Sequence, residues 1–153
     1  MKARAQSGFT LLELVITTAI LLVLAGIAVP VARVTIQRQK EAELRRALRE
    51  MRDAIDRYKD LADRNLIQVS VETEGYPPDL ATLVQGVPLA GRPDQRIRFL
   101  RRIPVDPMTG EARWGLRCVQ DEPDSTNWCG KDVFDVYSLS TGTALDGTRY
   151  ADW

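Results

Sequence analysis

The chain opens with one long apolar stretch and then turns to mixed apolar and charged residues. Residues 9–30 read FTLLELVITTAILLVLAGIAVP, and as an α-helix this run is long enough to cross a bilayer. The preceding residues, MKARAQSG, carry Lys2, Arg4 and the initial amine, and a basic flank of this kind stays on the cytoplasmic side. The pattern predicts a single membrane span with the rest of the chain outside the cytoplasm.

A second helical stretch with one apolar face follows the predicted span. Residues 31–65 contain no Gly or Pro and many Ala, Arg, Glu and Leu residues, which favours continuation of the helix. Just before it, Gly26 and Pro30 predict a kink, because proline removes a backbone hydrogen bond and glycine is flexible. Steps of three and four place the larger apolar residues on one face, which we expect to be buried: Leu44, Leu48, Met51, Ile55, Tyr58 and Ala62.

Turn residues and two short β-type segments predict a small globular head over residues 66–153. The Gly and Pro residues at 75–78 end the helical pattern, and residues 79–84 predict a short second helix. Residues 113–119 and 133–139 contain aromatic and β-branched residues, which favours two antiparallel strands joined by a long loop. The expected fold is α+β, with a long N-terminal helix packed on a small antiparallel β-sheet.

Composition argues against catalysis and against nucleic-acid binding. The 21 basic residues balance the 21 acidic ones, so the chain has no excess positive charge for nucleic acid. Without histidine it lacks the usual general base near neutral pH and the usual zinc ligand. The alternative is a membrane-anchored periplasmic enzyme or binding module whose carboxylate pair comes from a scattered acidic set: Asp106, Asp121, Glu122, Asp124, Asp135 and Asp146.

The two cysteines, Cys118 and Cys129, lie in a turn-rich stretch and could close a short loop. Outside the cytoplasm such a pair would normally oxidise, whereas in a cytosolic protein both thiols would stay free. On the chain-entropy view, a disulfide closing a loop of this length would stabilise the fold by about 3 kcal/mol.

One acidic residue, Glu13, interrupts the apolar run. It helps to distinguish between the kinds of N-terminal membrane segment that the run could form. A basic start and an apolar core are shared by a secretory signal peptide, a plain signal anchor and a helix that packs in an assembly. The sequence Val23-Leu24-Ala25 is compatible with signal-peptide cleavage, after which the mature chain would begin at Gly26. A carboxylate inside a membrane helix costs a few kcal/mol, so Glu13 favours a helix in which the acid has a function.

The residues around Glu13 carry a family resemblance. Residues 8–13, GFTLLE, resemble the G-F-T-L-x-E processing site of type IV pilins and type II secretion pseudopilins. The resemblance implies that a prepilin peptidase cuts after Gly8, removes residues 1–8 as a leader, and methylates Phe9 as the new N-terminal residue. It also implies that Glu13 sets the register of a fibre by pairing with the free amine of Phe9 on a neighbouring subunit.

Two stretches of the head resemble the major, or G-type, pseudopilins of type II secretion. Residues 103–110, IPVDPMTG, resemble the I-P-x-D-P-x-T-G stretch that precedes their sheet, and residues 135–139 read DVYSL, a further feature of that group. The cysteine pair departs from this resemblance. These pseudopilins usually lack a disulfide, whereas type IV pilins usually carry one that ties down the C-terminal region.

The resemblance further implies that calcium holds the C-terminal residues 140–153. The matching ligands would be the Leu139 carbonyl with Asp146 and Asp152, but Gly142 stands where the pattern has an aspartate. A cation-free loop held by aromatic packing and hydrogen bonds is the alternative. No cofactor is required, and calcium is the one that the pattern raises.

These features predict a structural filament subunit, the major pseudopilin of a type II secretion system, with a type IV pilin for adhesion, motility or DNA uptake as the alternative. The expected location is the bacterial inner membrane, with the N-terminus cytoplasmic and the head periplasmic until the subunit is extracted into a periplasmic fibre. Expected partners are other copies in a helical homopolymer, the prepilin peptidase, minor pseudopilins, the inner-membrane assembly platform and the cytoplasmic assembly ATPase. No nucleic-acid partner is expected.

Overall fold

The computed structural model describes residues 10–153, apart from the side chains of residues 27–31. The chain divides into two compact units, of which the second is Gln39–Trp153, and the longest helix contributes to both. The predicted cleavage site at Gly8 and the predicted methylation site at Phe9 lie outside the described residues.

A single helix, α1 (Leu11–Asp63), includes most of the predicted span and nearly all of the amphipathic stretch that follows it. Gly26 and Pro30 both lie within α1, and the kink predicted there stays a prediction, because the Pro30 side chain is outside the described residues. The helix ends just before Asn65, whose φ of 56° gives the left-handed conformation common at helix C-caps.

The buried face of α1 forms the centre of the C-terminal unit. All the residues of the predicted apolar face are at most 7% exposed, which confirms the periodicity that placed them together. Full burial of one Leu, Ile or Met side chain stabilises a fold by about 1.5–3 kcal/mol, so this face is a major source of stability. It belongs to one core cluster with residues from beyond α1: Leu83, Val87, Leu100, Trp114, Val133, Val136 and Tyr150.

Two small antiparallel sheets stand where one sheet was expected. Strand β1 (Val87–Leu89) pairs with β2 (Arg92–Ile97), and β3 (Gly115–Arg117) pairs with β4 (Asp135–Tyr137). The second pair confirms the two predicted β-type segments, although each strand spans only three residues. The sequence pattern does not predict the first pair, because β2 is polar, contains Pro93 and shows no alternation of buried and exposed residues. The α+β class is confirmed.

The short helix α2 (Leu80–Gln85) confirms the element predicted at residues 79–84. Asp79 caps it, since its Oδ1 accepts hydrogen bonds from the Thr82 N–H at 2.7 Å and from the Thr82 hydroxyl at 2.9 Å. The Leu83 side chain is fully buried, so the cap and the core contact together hold α2 in place.

Candidate assembly segment and C-terminal anchor

The first part of α1 exposes a large apolar surface in the isolated chain. Between Leu11 and Leu24, ten large apolar side chains are 49–82% exposed, and they lie on all sides of the helix. A helix that is apolar all round is normally covered by lipid or by other helices. We call residues 10–26 the assembly segment.

Within the described residues, no helix is both long enough and apolar enough to cross a membrane. The span predicted at residues 9–30 includes Phe9 and the side chains of residues 27–30, which lie outside the described residues.

Glu13 is the one acid of the assembly segment, and its main chain forms the first turn of α1. The Glu13 N–H donates to Thr10 Oγ1 at 3.2 Å, so Thr10 caps the helix. The Glu13 side chain is exposed, and no carboxylate partner for it occurs among the described residues. Sequence reasoning missed the role of Thr10, although Thr-x-x-Glu before an apolar run is a known helix-start pattern.

Thr17 and Thr18, the other polar residues of the helical part of this segment, direct their hydroxyls to helix carbonyls. Thr17 Oγ1 lies 2.9 Å from the Glu13 carbonyl oxygen and 3.0 Å from that of Leu14, and Thr18 Oγ1 donates to the Leu14 carbonyl. Because these hydroxyls are satisfied within the helix, they need no partner in apolar surroundings. The Glu13 carboxylate is therefore the polar group of the segment that calls for an external partner.

In the C-terminal unit, Glu41 ties residues 140–153 to α1. Its side chain is 6% exposed, and its Oε1 accepts hydrogen bonds from the Leu145 N–H at 2.9 Å and from the Tyr150 hydroxyl at 3.1 Å. Sequence reasoning did not single out Glu41. The signal was available, since Glu41 lies three residues before Leu44 and so extends the buried face of α1.

Arg45 and Arg52 complete this attachment, and with Glu41 they form what we call the C-terminal anchor. Arg52 Nε donates to Asp135 Oδ1 at 2.7 Å, and one of its terminal nitrogens donates to the Trp153 main-chain oxygen at 2.9 Å. The Arg45 guanidinium lies over the Trp153 ring, 3.9 Å from its centre. Residues from one helix thus hold both β4 and the C-terminal residues.

The two aspartates predicted as calcium ligands, Asp146 and Asp152, already have partners of their own. Asp152 accepts two hydrogen bonds from the Arg149 guanidinium, at 3.0 and 2.8 Å. Asp146 Oδ1 accepts from the Thr148 N–H at 3.0 Å and the Thr148 hydroxyl at 2.6 Å, and these bonds lower the pKa of Asp146. Arg45 lies 3.7 Å from the other oxygen of Asp146.

This arrangement does not fit a calcium site. A cation of that kind needs six to eight oxygens that converge, whereas both aspartates face guanidinium groups. Across residues 10–153, the one group of three or more candidate metal ligands is Cys118, Asp121 and Cys129, and its two sulfur atoms are joined to each other. The C-terminal residues are held instead by the C-terminal anchor and by the edge-to-face contact of Tyr150 with Trp153.

The predicted disulfide between Cys118 and Cys129 is present, with the two Cα atoms 6.0 Å apart. It closes a loop that begins directly after β3. Asp121 shapes the start of this loop, because its Oδ2 accepts a hydrogen bond from the Cys118 N–H at 2.7 Å.

Asp132 follows the disulfide loop and is 4% exposed. Its Oδ1 accepts a hydrogen bond from the Val119 N–H at 3.2 Å. Burial raises the pKa of Asp132, and the negative charges of Glu74 and Asp121 raise it further, against the lowering effect of the Val119 hydrogen bond. This carboxyl is therefore easier to protonate than an ordinary aspartate.

The two stretches that resemble pseudopilins meet in the interior. Asp106 and Ser138 are both fully buried, and the Ser138 hydroxyl donates to Asp106 Oδ2 at 2.6 Å. The other carboxyl oxygen of Asp106 accepts from the Met108 N–H at 2.7 Å, and the Asp106 carbonyl accepts from the Gly110 N–H at 2.7 Å. Asp106 thus shapes its own turn and attaches it to the segment after β4.

The structure gives separate roles to the acidic residues considered for catalysis. Asp106 binds Ser138, and Asp135 binds Arg52, with Arg117 a further 3.6 Å from its second oxygen. Asp121 and Asp146 accept hydrogen bonds within turns, and Glu122 and Asp124 are exposed.

Comparison with known proteins identifies a signal at the start of the chain. Residues 3–29 match the family model described as the prokaryotic N-terminal methylation motif. This match supports a type IV pilin-like protein with a membrane-anchored N-terminus, processing by a prepilin peptidase and assembly into filaments. No curated protein and no solved structure matches the chain.

Proposed function

We propose that this chain is a structural filament subunit that assembles through its assembly segment. The observation that carries the proposal is the match of residues 3–29 to the methylation motif, on a helix that is apolar on all sides. Lipid would cover this surface before assembly, and the same segment of neighbouring copies would cover it in the fibre. The anchored state is a single span of the inner membrane with the C-terminal unit in the periplasm.

Glu13 has a specific part in this proposal. Cleavage after Gly8 would create a free amine at Phe9, and that amine on a neighbouring copy would supply the cationic partner that the Glu13 carboxylate needs in apolar surroundings. A charge pair of this kind penalises every packing register that leaves the acid unpaired. Thr10 supports the arrangement, because it starts α1 close to the cleaved bond.

Within this class, the proposed role is the major pseudopilin of a type II secretion system. The two pseudopilin-like stretches favour it, and the hydrogen bond from Ser138 to Asp106 gives them a shared structural purpose. The second candidate is a type IV pilin, which the disulfide between Cys118 and Cys129 favours. Short periplasmic fibres together with loss of protein export on deletion would support the first role, and long surface pili would support the second.

The proposed role needs no catalytic residue and no cofactor. Energy for extraction from the membrane would come from a cytoplasmic assembly ATPase acting through the inner-membrane platform. Minor pseudopilins would join the same fibre. Because the aspartates of the C-terminal residues face guanidinium groups, we expect the melting temperature of the protein to be the same in calcium and in EDTA.

The decisive test is mass spectrometry of the full chain extracted from the membranes of cells with and without the prepilin peptidase. The proposal expects a mature chain that begins at methylated Phe9 in the first cells and an uncleaved chain in the second. Gly8→Val should block cleavage, and Gly26→Val, a matched change at the alternative cleavage position, should leave it intact. A mature chain beginning at Gly26 would overturn the proposal.

A further inference from the structure

The C-terminal unit has a groove beside α1 in which arginines outnumber acids. The groove has a volume of about 660 Å³ and lies between α1 and the segment that follows Leu100. Its charged lining residues are Arg46, Arg101, Arg102, Glu43 and Glu50. Arg101 and Arg102 are exposed, and neither forms an ion pair with any residue in the described part of the chain. We call this surface the basic groove.

A second surface of the same unit is acidic. It comprises the turn that carries the exposed Glu72 and Glu74 and the start of the disulfide loop, which carries Asp121 and the exposed Glu122, and we call it the acidic end. The Gln120 side chain donates to Glu74 Oε1 at 2.6 Å, which joins the turn around Glu74 to the disulfide loop. The charges of Glu74 and Asp121 both raise the pKa of the nearby buried Asp132, and the charge of Lys131 lowers it, so acids outnumber the basic residue around this carboxyl.

The two surfaces lie at different heights along α1. Gly75 packs against Lys59 and Ala62, and the Lys59 ammonium lies 5.3 Å from the Tyr76 ring centre, so the acidic end lies beside the last turns of the helix. The basic groove borders α1 at residues 43–50. At 1.5 Å per residue, the two surfaces are separated by about 20 Å along the helix axis.

We propose that the acidic end of one copy docks into the basic groove of the next copy along the fibre. The inference rests on the proposed function, because it requires copies that are stacked along α1. When one surface of a subunit binds a different surface of the next subunit, the contact can repeat from copy to copy without forming a closed ring. This is the geometry of a helical fibre. The proposed occupant is a second copy rather than another protein. The reason is that the basic groove and the acidic end lie on the same chain and are offset along α1, the direction in which copies would stack.

This contact would select the register of the C-terminal units, while the assembly segment supplies most of the attraction. Complementary charges guide association and penalise arrangements that bring like charges together. The contact should also weaken as salt rises, because exposed charge pairs are screened.

The first test is charge reversal in the full chain. Arg101→Glu with Arg102→Glu, and separately Glu72→Arg with Glu122→Arg, should each lower fibre yield at least tenfold. The four changes together should restore it. Arg92→Glu with Arg98→Glu is the matched control, with the same change in net charge on exposed arginines outside the groove, and it should assemble like the wild type. Equal thermal unfolding midpoints in detergent would show that all variants fold.

The second test is photo-crosslinking from p-benzoylphenylalanine placed at position 102 of the full chain. The inference expects adducts to residues 72–74 or 120–124 of a second copy, absent from the non-assembling Glu13→Gln background. Adducts confined to another protein or to other residues, or reversed variants that assemble like the wild type, would overturn the docking contact and leave the proposed function standing. Mature, methylated wild-type protein that forms no fibre would overturn both.

Discussion

Gly115 lies directly opposite Tyr137 in the β3–β4 pair, and the Tyr137 ring fills the space where a side chain at position 115 would stand. A Cβ atom at Gly115 would lie 2.1 Å from the ring carbon Cζ. The ring is also held by the Arg117 guanidinium, whose carbon lies 4.1 Å from the ring centre. Tyr137 therefore has little freedom to move away.

Gly115→Ala should destabilise the protein by about 1–3 kcal/mol, because a buried site that is already filled must shift to accept an extra methyl group. Chemical denaturation of the full chain in detergent measures the loss. Gly91→Ala is the matched control, since its φ of 77° strains alanine but its surroundings are open. A Gly115→Ala variant as stable as the wild type would show that the Tyr137 contact does not require glycine.

Ser138→Ala should cost about 1–3 kcal/mol, because it leaves the buried Asp106 Oδ2 without its hydrogen-bond donor. Denaturation midpoints of variant and wild type give the difference. Thr109→Ala removes an exposed hydroxyl from the same turn and should change stability far less. A Ser138→Ala variant as stable as Thr109→Ala would contradict this role for Asp106.

Arg52→Leu should loosen residues 140–153, because it removes the bonds to Asp135, Val136 and Trp153. We expect a loss of about 2 kcal/mol and faster proteolysis of the C-terminal residues. Arg49→Leu, on an exposed part of the same helix, is the control and should digest like the wild type. Unchanged proteolysis of Arg52→Leu would show that Glu41 and packing suffice.

Asp132→Asn should change how stability depends on pH. The raised pKa of Asp132 means that the folded state binds its proton more tightly than the unfolded state. This contribution is fully present below the unfolded pKa, near 3.8, and is lost as pH rises through the folded pKa. The amide oxygen of the substituted side chain can still accept from the Val119 N–H, so the stability of the variant relative to the wild type should rise as the pH increases from about 4 through the folded pKa of Asp132. If the free energies of unfolding of the variant and the wild type differ by the same amount at every pH, the prediction is wrong.

Glu13→Gln should block or strongly weaken fibre assembly and leave membrane insertion intact, because the neutral side chain cannot form the charge pair with Phe9 of a neighbour. Membrane fractionation measures insertion, and electron microscopy of sheared fibres measures assembly. Thr17→Val removes a hydroxyl that is satisfied within α1 and should still assemble. Normal fibres from Glu13→Gln would remove the proposed role of the acid.

Features that depend on neighbouring residues were predicted correctly. The buried face of α1 follows from steps of three and four residues, because a helix turns by a constant angle at each residue. Helix α2 follows from Asp79 as its cap and from the leucine spacing. The methylation motif is a contiguous signal, so its recognition needed no knowledge of the fold.

Features that depend on distant residues were not predicted. Glu41 and Leu145 are 104 residues apart, and Arg52 and Asp135 are 83 apart, so no local pattern links them. Calcium was raised from the family resemblance, and no local pattern showed that Arg45, about 100 residues away, faces Asp146 in the fold. The β1–β2 pair was missed because strand pairing satisfies the backbone of β2 while nearly all of its side chains stay exposed.

The sequence by itself determined that an apolar helical stretch is followed by an amphipathic one. It also determined the buried face of α1, the loop between the two cysteines and the N-terminal methylation motif. Each of these depends on periodicity, composition or short spacing, which act within a few residues. Only the tertiary structure decided what holds the C-terminal residues, where Asp106 finds its partner, and how far apart the basic groove and the acidic end lie. Those relationships depend on the packing of distant segments against one helix, and packing is a property of the whole fold.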